Sequence, residues 1–548
     1  MEKKDKKIAL VFAVWFFINI LTASYTELLA DEAYYWLYGS KLDWGYFDHP
    51  PMIALFNSFI DRYIFHSELS VRFLSILSST FYLWIVYKII NPQNSILFLS
   101  ILFSSAAINI FGFVSVPDTP LLLFSALFYF LYIRYIQNED WVSILGLLVV
   151  IPLLFYTKYH AVLILIFSII AYPKVFYKKS FYIIFLLSLL LYTPHILWQI
   201  SNDYPSVNYH LLERSSSEYE FKYTLDYLFG QFVFYGPILT IITFFVVFTR
   251  NFKDDFKFKL LKINYIGFFL FFLVSSYKGW VEVNWTLPAL TAIITFSYYF
   301  VNQKSIKFQR NFIWLHVAMV ALFFLLRIEL IGNFTKLPFL ERFQEFRQHK
   351  KLALKVKEHT QNQNVCTVRY QEAALLSFYM NKFVPAINLE GRKNIFNIWR
   401  EMEKVNGLPY YLISSNQDLK GNKIFTNGKI DYYLSYHKNL PAIQGVEINS
   451  IKYKNGQLIL EVPKKWIFEV LKMQKYSKTY LSIELSENEI EEELIYNDFN
   501  NYEANDNNSV SIKIAKTLKN GSYKVKIRIK TDGFGGWSKK IIKEIIVD

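Results

Sequence analysis

Apolar residues along this chain gather in long, closely spaced blocks instead of the three-to-four spacing of a surface helix or the alternation of a half-buried strand. A run of roughly 17 to 25 such residues matches the hydrocarbon thickness of a bilayer. Stretches of this kind lie near 8–28, 70–90, 95–115, 118–136, 141–157, 160–173, 181–200, 227–249, 260–277, 284–301 and 310–330, which predicts about eleven membrane helices. The stretch at 160–173 is short and fits a re-entrant or broken helix as well as a span. Beyond Gly332 the pattern turns charged and Asn-rich, with shorter apolar runs. Residues 341–358 read as a helix, 364–369 and 410–414 as strands, and 371–380 as a helix between them, so that 331–435 forms an α/β region. From 436 to 548 alternating runs dominate, at 458–462, 509–514 and 523–529, with Asn520-Gly521 and Asp532-Gly533 as turn signals. They predict a β-rich, sandwich-like terminal module. The polar run 497–509 reads as a loop.

Two features of the first gap stand out. Residues 32–38 predict a short amphipathic helix at the interface, ended by Gly39, its Tyr and Trp suited to headgroup depth. Pro50-Pro51 opens a second helix through about Tyr63, because proline is tolerated in a first helical turn. A later gap, 201–226, predicts a helix carrying His210 and Arg214 four residues apart on one face.

Composition sharpens this picture. With 53% hydrophobic and 19% aromatic residues in 548, the chain is too apolar for an ordinary soluble enzyme. The net charge of +14 sits largely in the short gaps between apolar blocks, which reads as membrane topology and argues against nucleic acid. With Met1 cytoplasmic, the inner gaps hold about 17 basic residues and the short outer loops about six. An odd number of spans then puts everything after Leu330 outside the cytoplasmic membrane, and the apolar start acts as an uncleaved signal anchor. Cys366 is the only cysteine, so no intramolecular disulfide forms and no Cys-based metal site exists.

That topology brings the chemistry-bearing residues to a single outer surface. Ionisable groups so near a bilayer persist where they pair, bind or react. Asp31 either caps the following helix or acts as a base; Glu32 supports it or points inward. His49 stands just before a helix N-terminus, where anions are favoured, although Asp48 could equally cap that helix. Lys158, between two apolar segments, either snorkels to the interface or holds an anion. Arg214 suits phosphate bidentately, or is a solvated loop arginine. Asp118, flanked by Pro117 and Pro120, caps a span or helps hold the acceptor, a cation or the loop containing Asp31. Lys278 and Trp285 lie on a short outer turn, Trp285 as an interface anchor or a sugar platform.

Several of these residues fall in stretches that resemble a known family. Asp31-Glu32-Ala33-Tyr34-Tyr35 with Tyr46-Phe47-Asp48-His49-Pro50-Pro51 is similar to the first external loop of bacterial family-39 glycosyltransferases, the relatives of protein O-mannosyltransferases and of the aminoarabinose transferase that modifies lipid A. Val71-Arg72-Phe73-Leu74-Ser75, Pro117-Asp118-Thr119-Pro120-Leu121, Tyr156-Thr157-Lys158-Tyr159 and Val281-Glu282-Val283-Asn284-Trp285 extend the likeness over about the first 330 residues. The resemblance implies a GT-C membrane glycosyltransferase domain over 1–330. Its substrates would be a polyprenyl-phosphate-linked sugar and an envelope acceptor, whether glycolipid, polysaccharide or protein. It also implies Asp31, supported by Glu32, as the catalytic base, and His49, Lys158, Arg214, Asp118, Lys278 and Trp285 as substrate contacts. Many relatives carry Lys where His49 stands. The aminoarabinose-transferase branch hints at a divalent metal held by Asp48 and His210; two ligands are too few to define one, and catalysis is expected to need no cofactor.

Two rivals come from other classes. A lipid-linked glycan transporter would place polar residues through the midplane and use interrupted helices, whereas a non-catalytic scaffold would bind envelope glycans with its external region.

Overall fold

The structure is a computed structural model, and it describes residues 3–210, 219–252, 255–335, 346–387, 393–415, 421–427, 430–440, 448–474, 478–487, 490–505, 508–531 and 541–547. It divides into two compact units, Met1–Arg347 and Gln348–Asp548.

The first unit is helical. It opens with α1 (Lys3–Tyr25), the short helices α2 (Ala30–Tyr38) and α3 (Met52–Tyr63), and α4 (Glu68–Ile90). The predicted segment 95–115 is broken at Ser104-Ser105 into α5 (Ser95–Phe103) and α6 (Ala106–Phe111), and α7 (Asp118–Asn138), α8 (Trp141–Thr157) and α9 (Val162–Ala171) follow. Then come α10 (Lys179–Ser201), the single turn α11 (Pro205–Asn208), α12 (Phe221–Tyr235), α13 (Pro237–Thr249), α14 (Phe256–Ser275), α15 (Leu290–Asn302) and α16 (Ile306–Gly332). Among the described residues, six of these helices are individually long and apolar enough to cross a membrane, or seven if α12 and α13 count as one bent span. The expected figure of about eleven is therefore not reached by that measure, because α5, α8, α9 and α15 are shorter. The protein is a multi-pass membrane protein.

Local chemistry explains several boundaries. Ser67 and Ser70 bond each other's backbone N–H groups at the start of α4, and Asp140 and Asp255 accept from Ser143 and Phe258 at the starts of α8 and α14. Between α12 and α13 the axis turns by 104° at Gly236. Its φ of 97° is a conformation that L side chains rarely adopt. Several buried hydroxyls inside the helices donate to the carbonyl four residues back, as Thr22, Ser58 and Ser168 do. A continuous apolar core runs from Ile8 and Phe12 through Tyr82, Phe98, Leu121, Tyr129 and Leu154 to Phe268 and Phe296.

The second unit begins with a small α/β layer: α17 (His349–Thr360), β1 (Val365–Thr367), α18 (Tyr370–Met380), α19 (Ile395–Ile398), α20 (Glu401–Val405), β2 (Tyr410–Ser414), β3 (Asn422–Thr426) and β4 (Asp431–His437). Its sheet runs β1-β2-β4-β3, with β1 and β2 parallel. The remaining elements are β5 (Ser450–Lys454), β6 (Gln457–Pro463), α21 (Lys464–Gln474), β7 (Thr479–Glu487), β8 (Ile490–Tyr496), β9 (Tyr502–Ala504), β10 (Ser509–Ala515), β11 (Gly521–Thr531) and β12 (Ile541–Val547). They build two four-stranded sheets, β5-β6-β10-β9 and β12-β11-β7-β8. Leu458, Leu460 and Val462, alternating along β6, share a core with Ile483, Val525 and Ile527 of the other sheet and with Trp466 and Ile467 of α21. The expected helix at 341–358 begins at His349, its first residues 341–345 lying outside the described ones. The polar run read as a loop contains β9, whose Tyr502 to Ala504 pair with β10; three residues are too short a run to betray themselves by alternation. The Asp532-Gly533 turn lies outside the described residues.

Candidate active site

After α1 the chain turns back as α2, and successive residues there point about 100° apart around the axis. Asp31 and Glu32 are thereby separated, Asp31 exposed and Glu32 fully buried. Glu32 Oε1 accepts from Arg72 Nε at 2.8 Å and from the Ser115 backbone N–H at 2.8 Å. Its Oε2 accepts from Arg72 Nη2 at 2.6 Å and from Leu29 N–H at 3.0 Å. Arg72 spends its other protons on the carbonyls of Ala23, Thr26 and Glu27 and on the Thr26 hydroxyl. Such a pair tolerates burial because both partners are satisfied. It ties the end of α1, the start of α2, α4 and the turn before α7 into one block. Glu32 is therefore not a group presented to substrate, and its pairing with Asp31 as a catalytic group is corrected to a positioning role.

Asp31 stands one turn before Tyr35 on α2. The Tyr35 hydroxyl meets His49 Nε2 at 3.2 Å. The other tyrosines of this helix serve Asp48, whose Oδ2 accepts from Tyr34 at 2.9 Å and from Tyr38 at 3.0 Å. Burial, and then the Asp48 charge, push the Tyr38 phenol well above its ordinary pKa, so it stays a donor. Tyr38 stacks on Tyr46 with ring centroids 4.1 Å apart, and Tyr46 N–H donates to His49 O at 3.1 Å, closing the loop that holds His49.

The later elements meet this loop from the other side. His210 Nε2 donates to the Asp48 carbonyl at 3.0 Å, and its ring lies 6.4 Å from that of His49 and 5.7 Å from that of Tyr159. Tyr159 accepts from Gln199 at 2.9 Å. In α10, Trp198 donates to Asp43 at 2.9 Å and His195 Nδ1 to the Trp44 carbonyl at 2.6 Å. Next to Tyr159, Lys158 Nζ donates to both oxygens of Asp118 at 2.8 and 2.9 Å, and both side chains are buried. Trp285, in the 3-10 turn Val283–Ala289, packs on Phe272 at 5.4 Å, and Phe272 packs on His160 at 5.6 Å.

The structure thus links His49, Asp48 and His210 by direct contacts, and Tyr159, whose ring meets His210, is followed back in sequence by the Lys158–Asp118 pair, while Asp31 stands one turn before Tyr35. Trp285 joins them through Phe272 and His160. Lys278 is exposed after α14 and makes no contact with the cluster among the described residues. Arg214 lies outside the described residues. The Asp48 carboxylate accepts from two phenols, and the His210 imidazole donates to the Asp48 carbonyl. Among the described residues no group of three or more His, Cys, Asp or Glu is placed to hold a metal. Sequence reasoning missed Tyr34, Tyr35, Tyr38, Tyr159 and His160. The i, i+4 spacing of Tyr34 and Tyr38 was a legible signal, but a single tyrosine or histidine at a span end carries none.

Comparison with known proteins adds to this geometry. Residues 48–198 match the family model of dolichyl-phosphate-mannose-protein mannosyltransferases. The crystal structure of ArnT from Cupriavidus metallidurans in the apo state superposes with a TM-score of 0.57 at 11% identity, covering 79% of this chain and 98% of that one. The structure of the same protein bound to undecaprenyl phosphate gives 0.57 at 10% identity, covering 78% and 98%. The chain has the GT-C glycosyltransferase fold. No curated protein matches it in sequence. Within this GT-C fold the family-model match takes in Asp48, His49, Asp118 and Lys158, but neither Asp31 nor His210 nor Trp285.

Proposed function

We propose that this protein is a membrane glycosyltransferase that moves a monosaccharide, hexose or pentose, from a polyprenyl-phosphate donor to an envelope acceptor on the outer face of the cytoplasmic membrane. The observation that carries the reading is the buried Lys158 ammonium, held by Asp118 and adjacent in sequence to Tyr159, whose ring meets His210, which in turn meets His49, within a fold whose solved relative is recorded with undecaprenyl phosphate. A fixed ammonium in a poorly solvated corner is suited to the charge that develops on a departing phosphate.

Asp31 takes the proton of the acceptor hydroxyl, whose oxygen attacks the anomeric carbon. The glycosidic bond forms as the bond from that carbon to the phosphate oxygen breaks, with inversion, and the electron pair leaves on polyprenyl phosphate. Lys158 and His49 receive that phosphate, and Arg214 is a third contact in this reading. Asp118 fixes the ammonium. Trp285 flanks the sugar, and Lys278 stays at the rim. Side chains alone carry the reaction. The acceptor is a lipid A-type glycolipid, a polysaccharide or a protein hydroxyl.

The bend at Gly236 and the break at Ser104-Ser105 favour a transporter, since discontinuous helices line transport sites. Purified protein incubated with polyprenyl-phosphate sugars in detergent, and separately reconstituted for a flipping assay, tests the choice. Sugar transfer or donor cleavage without flipping is expected; flipping without cleavage would replace this reading by the rival.

A further inference from the structure

His160 follows Lys158 by two residues in the 3-10 turn Tyr159–Ala161 that heads α9. Its ring is met at near right angles, 81° and 87°, by Phe268 and Phe272 of α14, with centroids 6.5 and 5.6 Å away. These two contacts set the plane of the imidazole. Its Nε2 is sealed from solvent and has no hydrogen-bond partner among the described residues. Such a group forfeits the hydrogen bond it made to water, and native interiors seldom keep one without a use. Packing alone does not explain the residue, because another aromatic ring would fill the space against two phenylalanines with no polar atom stranded. Lys158 and His210 are the titratable groups that act on it electrostatically. The carboxylate in this corner, Asp118, is turned to Lys158 through both of its oxygens.

We propose that His160 is a substrate-binding residue, its Nε2–H donating to a phosphate oxygen of the lipid-linked substrate beside the Lys158 ammonium. The inference rests on the polyprenyl-phosphate reading above. A neutral imidazole there supplies a directed donor without placing a further cation beside Lys158, and it distinguishes a phosphate from the corresponding alcohol.

The test uses the full chain in detergent, with a short-chain polyprenyl phosphate and the matching polyprenol as probes. His160→Phe keeps the flat ring and removes the donor. Its affinity for the phosphate is expected to fall about tenfold or more, as for loss of one hydrogen bond to a charged group, with polyprenol affinity and melting temperature unchanged. His160→Gln, whose amide nitrogen reaches the Nε2 position, is expected to recover most of the loss. Unchanged phosphate binding in His160→Phe, or a loss shared equally by both lipids, would overturn the assignment. If His160→Phe does not fold, His160→Gln against His160→Asn decides: retention only in Gln supports the proposal, and equal or reversed behaviour overturns it. If the unaltered protein binds both lipids alike, the donor reading itself fails, and this assignment falls with it.

Discussion

Removing one member of the Arg72–Glu32 pair strands the other charge among apolar helices, and the loss of such a partner costs about 3–5 kcal/mol. Arg72→Met should therefore lower the melting temperature of the detergent-solubilised protein sharply; a melting temperature equal to the parent's would show that the pair does not hold the α1, α2 and α4 ends together. A milder titration is expected in the second unit. Glu372 of α18 accepts from Ser415 at 2.8 Å through one oxygen, while its other oxygen is buried without a partner. Burial raises its pKa. The folded state then holds the proton more tightly than the unfolded chain does. Its contribution to stability is present below the ordinary glutamate range and is lost as pH rises through the raised value. Glu372→Gln keeps the shape and removes the titration, so it should melt higher than the parent near neutral pH and not in acid. Parallel pH profiles for the two proteins would contradict this. At this scale the sequence was legible in part. Lys158 pairs with Asp118, and His49 meets Tyr35, one helical turn after Asp31; the helical period already separates Asp31 from Glu32. The partners were not legible, because Asp43 with Trp198 or Tyr35 with His49 is fixed by tertiary approach and not by local spacing.

At the scale of elements, the apolar blocks announced the helices and the prolines announced α3. What they hid was interruption: Ser104-Ser105 splits one block, and Gly236 bends another by 104°. Hydropathy averages over both, since a serine pair or a glycine barely alters the mean over a window of about 19 residues. A close approach between α2 and α3 was equally silent. A Cβ on Gly39 would lie 2.0 Å from the Ser58 Cβ, so neither side chain nor helix can avoid it without moving. Gly39→Ala should therefore push α2 off α3, cost about 1–3 kcal/mol as overpacking does, and weaken transfer as well. Melting temperature and transfer rate measured together check this; a variant with parental values in both would mean that the two helices have room to spare. The β-rich module illustrates the opposite case, where alternation at 458–462 sufficed to find β6 and its inward face.

For the molecule as a whole, the pattern that matters is that residues far apart in sequence meet within the GT-C unit. Asp48 and His210 are joined by a 3.0 Å hydrogen bond across more than 160 positions, and Lys158 and Asp118 by two bonds across 40. The second unit has its own cores and its own sheets, and it is described by itself. The account depends on these residues performing transfer with Asp31 as base. The most direct test is the single-turnover rate of sugar transfer from a polyprenyl-phosphate donor by Asp31→Asn, compared with the parent under equal donor binding. The account predicts a fall of about a hundredfold or more, the usual worth of a general base, with donor affinity and melting temperature held. Transfer at the parental rate would contradict it.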